Sequence, residues 1–170
     1  MSIKVFGIAM VIAGCGSVGF RIAANHRFQE RLLRQLIGIL DYMACELQYR
    51  LTPLPELCRQ VVKEFPSPLA DIFESLSQEM DAQITPDVTH CMSSVLDKYK
   101  KFPTIILQEL ELLGKSIGRF DLNGQLKGLE AIRQDCRRNL ENLGNNRDAR
   151  LRSYQTLGLC AGAALAILLI

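Results

Sequence analysis

Two histidines, six cysteines and an ordinary set of acids and bases are the material for chemistry in this 170-residue chain. A metal site needs three or four ligands that converge, and His26 and His90 are far apart in the sequence. Cys91 follows His90 directly, but adjacent side chains on a helix point about 100° apart and chelate poorly. Cys15, Cys45, Cys58, Cys91, Cys136 and Cys160 contain no Cys-x-x-Cys pair. They read as small hydrophobes in a reducing compartment. The chain has no Gly-rich phosphate loop, no His-Glu-x-x-His and no nucleophile elbow. The sequence therefore predicts no catalytic residues, no metal and no cofactor.

The charges point the same way. Glu130, Arg133, Arg137, Arg138 and Glu141 recur at i,i+3 and i,i+4 spacings, the pattern of a solvated, self-paired helix face. Lys and Arg number 20 against 18 Asp and Glu, a net charge of +2, too balanced for a general nucleic-acid binder. Hydrophobic residues make up 48% and charged residues 22%, which excludes a disordered chain. Aromatics are only 6%, and the abundant Leu, Ile, Glu, Gln and Arg favour helix over sheet.

The apolar residues crowd at both ends. Val5 to Phe20 is sixteen residues without a charge, bounded by Lys4 and Arg21. As a helix it covers roughly 24 Å, and snorkelling of the flanking bases extends its reach. Ser153 to Ile170 is a second uncharged run, of eighteen residues or about 27 Å. Both runs are expected to be transmembrane helices. Ile12-Ala13-Gly14-Cys15 also fits a lipoprotein cleavage site, with Cys15 as the lipidated residue, but Lys4 alone is a thin n-region. Arg21, Arg27, Arg31 and Arg34 follow the first run, and Arg147, Arg150 and Arg152 precede the second. By the positive-inside bias, the segment between them stays cytoplasmic. Arg147, Arg150 and Arg152 are also placed to attract anionic lipid. Gly158 and Gly162 form a GxxxG that permits close helix packing in lipid, against the first run or another subunit.

Between the runs the pattern is helical. Leu33, Leu36, Leu40, Met43 and Leu47 mark one face of a helix ending near Leu51. Thr52 is expected to cap the next helix, with Pro53 in its first turn and an end near Glu64. Pro66 and Pro68 precede a face of Leu69, Ile72, Phe73, Leu76 and Met80. Thr85-Pro86-Asp87 repeats the cap-and-proline signal before Val88, Met92, Val95 and Tyr99. Pro103 opens a helix with Ile106, Leu110 and Leu113, and Gly114 to Asp121 reads as a break. Leu126, Leu129, Ile132, Cys136, Leu140 and Leu143 stripe the last helix, with Asp121 as a natural N-cap. The fold expected is all-α. Residues 1–24 form an N-terminal transmembrane helix, 25–152 a cytoplasmic bundle of about six antiparallel helices, and 153–170 a C-terminal transmembrane helix.

Several segments resemble a known family. Arg34-Gln35-Leu36, Glu46 with Tyr49, and Thr52-Pro53-Leu54-Pro55-Glu56 come first. Leu113-Gly114, Gly118-Arg119-Phe120-Asp121 and the apolar run from Leu157-Gly158-Leu159 to Ile170 follow. Together they resemble the stage III sporulation protein AB family of endospore-forming bacteria, over essentially the whole chain. That family is similar in turn to the cytoplasmic domain of the type II secretion inner-membrane platform protein. Pro53-Leu54-Pro55-Glu56-Leu57 resembles that domain's Pro-Leu-rich helix start. Gly114-Lys115-Ser116-Ile117-Gly118 resembles its Gly-Glu-x-x-Gly turn, with Lys115 where an acid is expected.

The resemblance implies a non-enzymatic platform in the channel complex joining mother cell and forespore, in the mother-cell membrane facing the forespore. Its implied partners are a sporulation secretion-type ATPase, other membrane subunits of the channel and the lipid bilayer, with self-association a further option. The chain would dock that ATPase and couple it to the membrane assembly. Glu46, Glu56, Lys115, Arg119 and Asp121 are the candidate contact residues, each with a competing role in a cap or turn. The alternative is a structural adaptor that assembles other subunits through its spans.

Overall fold

A computed structural model describes residues 2–82, 87–117 and 121–144, with side chains from Ala24 onward. Six helices and no strand are present among them. In order they are α1 (Ser2–Arg50), α2 (Leu54–Glu64), α3 (Leu69–Asp81), α4 (Val88–Lys98), α5 (Thr104–Ser116) and α6 (122–144). The all-α bundle thus has the expected helix number and order.

α1 is the spine. The stripe Leu33, Leu36, Leu40, Met43 and Leu47 is buried as expected, but Leu32 and Ile39 are fully buried too. The wider stripe follows from α1 packing against α2, α3, α5 and α6 rather than a single neighbour. Leu51 stops α1 by adopting a positive φ of 53°, a left-handed turn made here without a glycine. Pro53 then prevents resumption of the same helix.

Prolines set the remaining breaks. Pro53 is the residue preceding α2, Pro68 precedes α3, and Pro103 precedes α5, none with a side-chain cap bond. Thr52 is therefore not the cap of α2 that its type suggests. Its hydroxyl instead donates to Glu46 Oε2 at 3.2 Å. Asp87 caps α4 by accepting from the Thr89 N–H at 3.0 Å, while Thr85 and Pro86 lie outside the described residues. The break expected from Gly114 begins later. α5 continues to Ser116, because Gly114 is buried against Met92 and serves close packing rather than a turn.

Successive helices alternate in direction. Tyr42 on α1 meets Gln60 and Phe65 on α2, and Arg59 on α2 meets Asp81 on α3. Tyr99, just past α4, bonds the Asp71 carbonyl on α3, and Thr89 on α4 bonds the Gly114 carbonyl on α5. Asn139 on α6 bonds Glu109 on α5, and Arg133 on α6 is ion-paired to Asp41 on α1. α6 therefore runs back along α1. The N-terminal part of α1 and residue 144, the last described residue of α6, lie toward one end of the bundle.

The membrane expectations fall largely outside this description. Residues 5–20 lie on the α1 backbone, but their side chains are not among those described, and 153–170, with Gly158 and Gly162, lies outside entirely. Among the described residues no helix is long and apolar enough to cross a membrane.

Candidate functional site

The opposite end of the bundle collects the segments that the sequence singles out. The end of α1, the start of α2, the end of α5 and the start of α6 meet there. Between them lies a shallow groove of about 290 Å³ lined by Leu47, Leu51, Thr52, Pro53, Leu54, Ile117, Leu122 and Gln125. Leu51 in its lining is 67% exposed, and Tyr49, at the same end of α1 but outside the lining, is 77% exposed; they are the two most exposed large hydrophobics described. An apolar side chain in solvent is ordinary, but Leu51 also holds a backbone conformation disfavoured for leucine. The α1–α2 junction thus costs stability to keep an apolar side chain outside.

The candidate contact residues divide by their surroundings. Glu46 is nearly buried, accepting from Thr52 and ion-paired to Arg50 at 3.5 Å. It holds the Leu51 turn in place and offers little surface to a partner. Glu56 sits in the first turn of α2, where its charge suits the helix N-terminus. It pairs with Arg59 at 3.1 Å, and Arg59 reaches Asp81 at 2.6 Å, so Glu56 belongs to a clip between α2 and α3. Lys115 is half exposed and pairs with Glu111 at 2.7 Å. Asp121 Oδ1 accepts from the Gly124 N–H at 3.1 Å and caps α6, the role its type predicts. Arg119 lies outside the described residues.

Glu46, Glu56, Lys115 and Asp121 therefore gather at one end, and each has a structural partner. The Glu56 and Lys115 pairs are exposed and individually worth under about 1 kcal/mol, so a partner surface can exchange them at little cost, unlike buried Glu46 and the Asp121 cap. The Tyr49 and Leu51 side chains are not committed to such a pair, although the Leu51 backbone forms the turn that stops α1. Tyr49 was visible in the sequence only as part of a family-like segment. The groove needed the tertiary structure, because its walls come from four helices.

The rest of the surface offers no catalytic arrangement among the described residues. His90 is exposed. No group of three or more His, Cys, Asp or Glu there is placed to hold a metal. Cys58 and Cys136 are buried, and burial pushes each thiol up to about 12. Cys45 is exposed. On α6, Arg133 pairs with Glu130 as the spacing predicted and also with Asp41 on α1, while Arg138 pairs with Asp135, an acid outside the predicted set.

Comparisons with known proteins agree with one another. The family described as stage III sporulation protein AB matches residues 4–170. Stage III sporulation protein AB of Bacillus subtilis (strain 168) is 23% identical over 172 residues, covering 98% of this chain and 99% of that protein. A solved structure of stage III sporulation protein AB superposes with a TM-score of 0.63 at 20% identity, covering 72% of this chain and 98% of that one. At that identity the likeness is one of fold.

Proposed function

The chain belongs to the stage III sporulation protein AB family, a family of sporulation proteins, and on that basis we propose that it is a membrane platform that docks a secretion-type ATPase. The observation that supports this most is the division of the bundle into two ends. One end carries the apolar run on α1 and the exit of α6, with Arg27, Arg31 and Arg34 exposed beside it. Both apolar runs can then enter a bilayer from the same side, as a two-span protein with one bundle requires. The other end, farthest from those runs, carries the groove and the exposed Tyr49 and Leu51.

In this reading the groove end receives the ATPase from the mother-cell cytoplasm, and ATP hydrolysis belongs to that partner. The bundle passes the partner's motion to the membrane assembly through α1 and α6. Large exposed aromatic and aliphatic side chains beside a concave apolar surface are the usual anchors of such contacts. The analogy with a secretion platform is one of family and is not carried by a chemical site.

The test is a titration of the full chain, in detergent micelles, against the purified sporulation ATPase, with binding and ATP turnover read together. Saturable binding that changes turnover, weakened at least tenfold by the double variant Tyr49→Ser, Leu51→Ser, is expected. A folded chain that neither binds nor changes turnover refutes the docking role. It would shift the function to subunit assembly through the two spans.

A further inference from the structure

The seam between α5 and α6 contains a carboxylate that the platform role does not use. Glu109 lies on the inner face of α5, between Ile106 and Leu113, and is 5% exposed. Its Oε1 accepts from Asn139 Nδ2 at 2.9 Å, and its Oε2 is buried without a hydrogen-bond partner. Many surface acids in this bundle, Glu30, Asp81 and Glu111 among them, are matched with Arg or Lys, but Glu109 has no ion pair among the described residues. An ionised carboxylate in such a place is poorly solvated, whereas the neutral acid is not.

The neighbouring charges do not relieve it. Burial raises the Glu109 carboxyl above its ordinary value, and Asp135 on α6 raises it further. The N–H that Asn139 donates to Oε1 and, after it, Arg138 on α6 act the other way without outweighing burial, and Arg138 is itself ion-paired to Asp135. Cys136, also on α6, has a thiol pushed to about 12 and stays neutral. α1 and α4 also pack on α5, and no charged group from either acts on Glu109 among the described residues.

We propose that the α5–α6 seam is a proton-controlled clamp, in which protonated Glu109 grips Asn139 and ionised Glu109 loosens α6 from α5. A neutral carboxyl and a primary amide are complementary. Oε1 keeps the N–H of Asn139, while the proton turns Oε2 into a donor toward the oxygen of the same amide. When the proton leaves for solvent, Oε2 becomes a buried charge without a donor. With α6 docked, Glu109 holds its proton to a higher pH than it does with α6 undocked. The stabilisation is therefore complete below the ordinary carboxylate range and is lost as pH rises through the raised native value. Docking of α6 takes up a proton, and its release gives one up. The clamp lies between the groove end, where α6 starts, and the end where α6 leads out of the bundle.

Hydrogen exchange of the full chain in detergent micelles tests this, with protection of peptides within 126–143 corrected for the intrinsic pH dependence of exchange. Wild-type protection is expected to fall by up to tenfold for each pH unit between the ordinary carboxylate range and the raised native value, and to level off above it. Peptides within 28–47 serve as the reference. Glu109→Gln keeps an uncharged partner for Asn139 and should hold α6 protection flat. Asn139→Asp sets a second acid against Glu109 and should lower α6 protection at least tenfold further at the alkaline end. If Glu109→Gln does not fold, wild type against Asn139→Asp decides. The proposal is overturned if wild type and Glu109→Gln share one pH profile, or if Asn139→Asp matches wild type.

Discussion

Replacing Gly114 with alanine sets two effects of known size against each other. Within α5, glycine is about 1 kcal/mol poorer than alanine, so the substitution gains that much from helix propensity. Against it, the new Cβ would lie 2.6 Å from Met92 Cβ and 2.9 Å from Met92 Cγ. Ordinary carbon contacts are near 3.5–4.0 Å, and neither Cβ can rotate away, because each is fixed to a helix backbone. α4 would have to move off by about 1 Å, loosening Cys91, Met92 and Val95. Overpacking of this kind costs typically 1–3 kcal/mol, and a clash between two immobile atoms belongs in the upper part of that range. The net expectation for Gly114→Ala is a loss of roughly 1–2 kcal/mol, a fall of about 2–4 °C in melting temperature per kcal/mol for a chain of this length. Thermal and urea unfolding of the full chain in detergent, followed by circular dichroism, measures it. Gly38→Ala is the control, because only the ring tip of Phe65, at 3.3 Å, stands in its way and can give. There the propensity gain should win, leaving stability unchanged or raised by up to about 1 kcal/mol. If Gly114→Ala is as stable as wild type, or both variants shift alike, the close-contact reasoning is refuted.

Other expectations follow from single residues. Asp121→Ala removes the α6 cap and should lower stability by about 1 kcal/mol, with ATPase affinity changed less than stability. A large affinity loss at unchanged melting would make Asp121 a contact instead. Leu51→Gly relieves the left-handed backbone and should raise stability by roughly 1 kcal/mol while weakening ATPase binding, read by melting and by titration of the same sample. Among the four cysteines with described side chains, Cys45 should react first with an aromatic disulfide reagent at neutral pH. Cys58 and Cys136, buried and held as thiols to about 12, should react only on unfolding, which mass mapping of the labelled peptides checks.

The bundle was legible because its punctuation is local. Prolines cannot continue a helix, so Pro53, Pro66, Pro68 and Pro103 placed three boundaries, and the Asp121 cap needed only its own short-range geometry. Thr52 misled for a tertiary reason: Glu46, back on α1, takes the hydroxyl that would otherwise turn toward α2. Gly114 misled because glycine serves two purposes, and only the position of Met92 separates a turn from a close approach. Glu109 carried a signal that went unread. It stands three residues after Ile106 and four before Leu113, on the buried face, so helical spacing alone placed an acid in the core. The groove had no comparable trace, since its lining is shared by two stretches, 47–54 and 117–125, that are far apart in the sequence.

α1 extends from Ser2 to Arg50 with no proline to act as a hinge, a single rod about 73 Å long. Its ends are thereby locked in rotational phase. The direction in which Tyr49 faces at one end fixes, through the intervening turns, which side of the residue 5–20 run faces a given neighbour at the other. One residue inserted midway would swing the two ends apart by about 100°, whereas seven would nearly restore the alignment while lengthening the rod by about 10 Å. Phase and length can thus be varied separately, and an assembly that reads torque through α1 would tolerate the second change far better than the first.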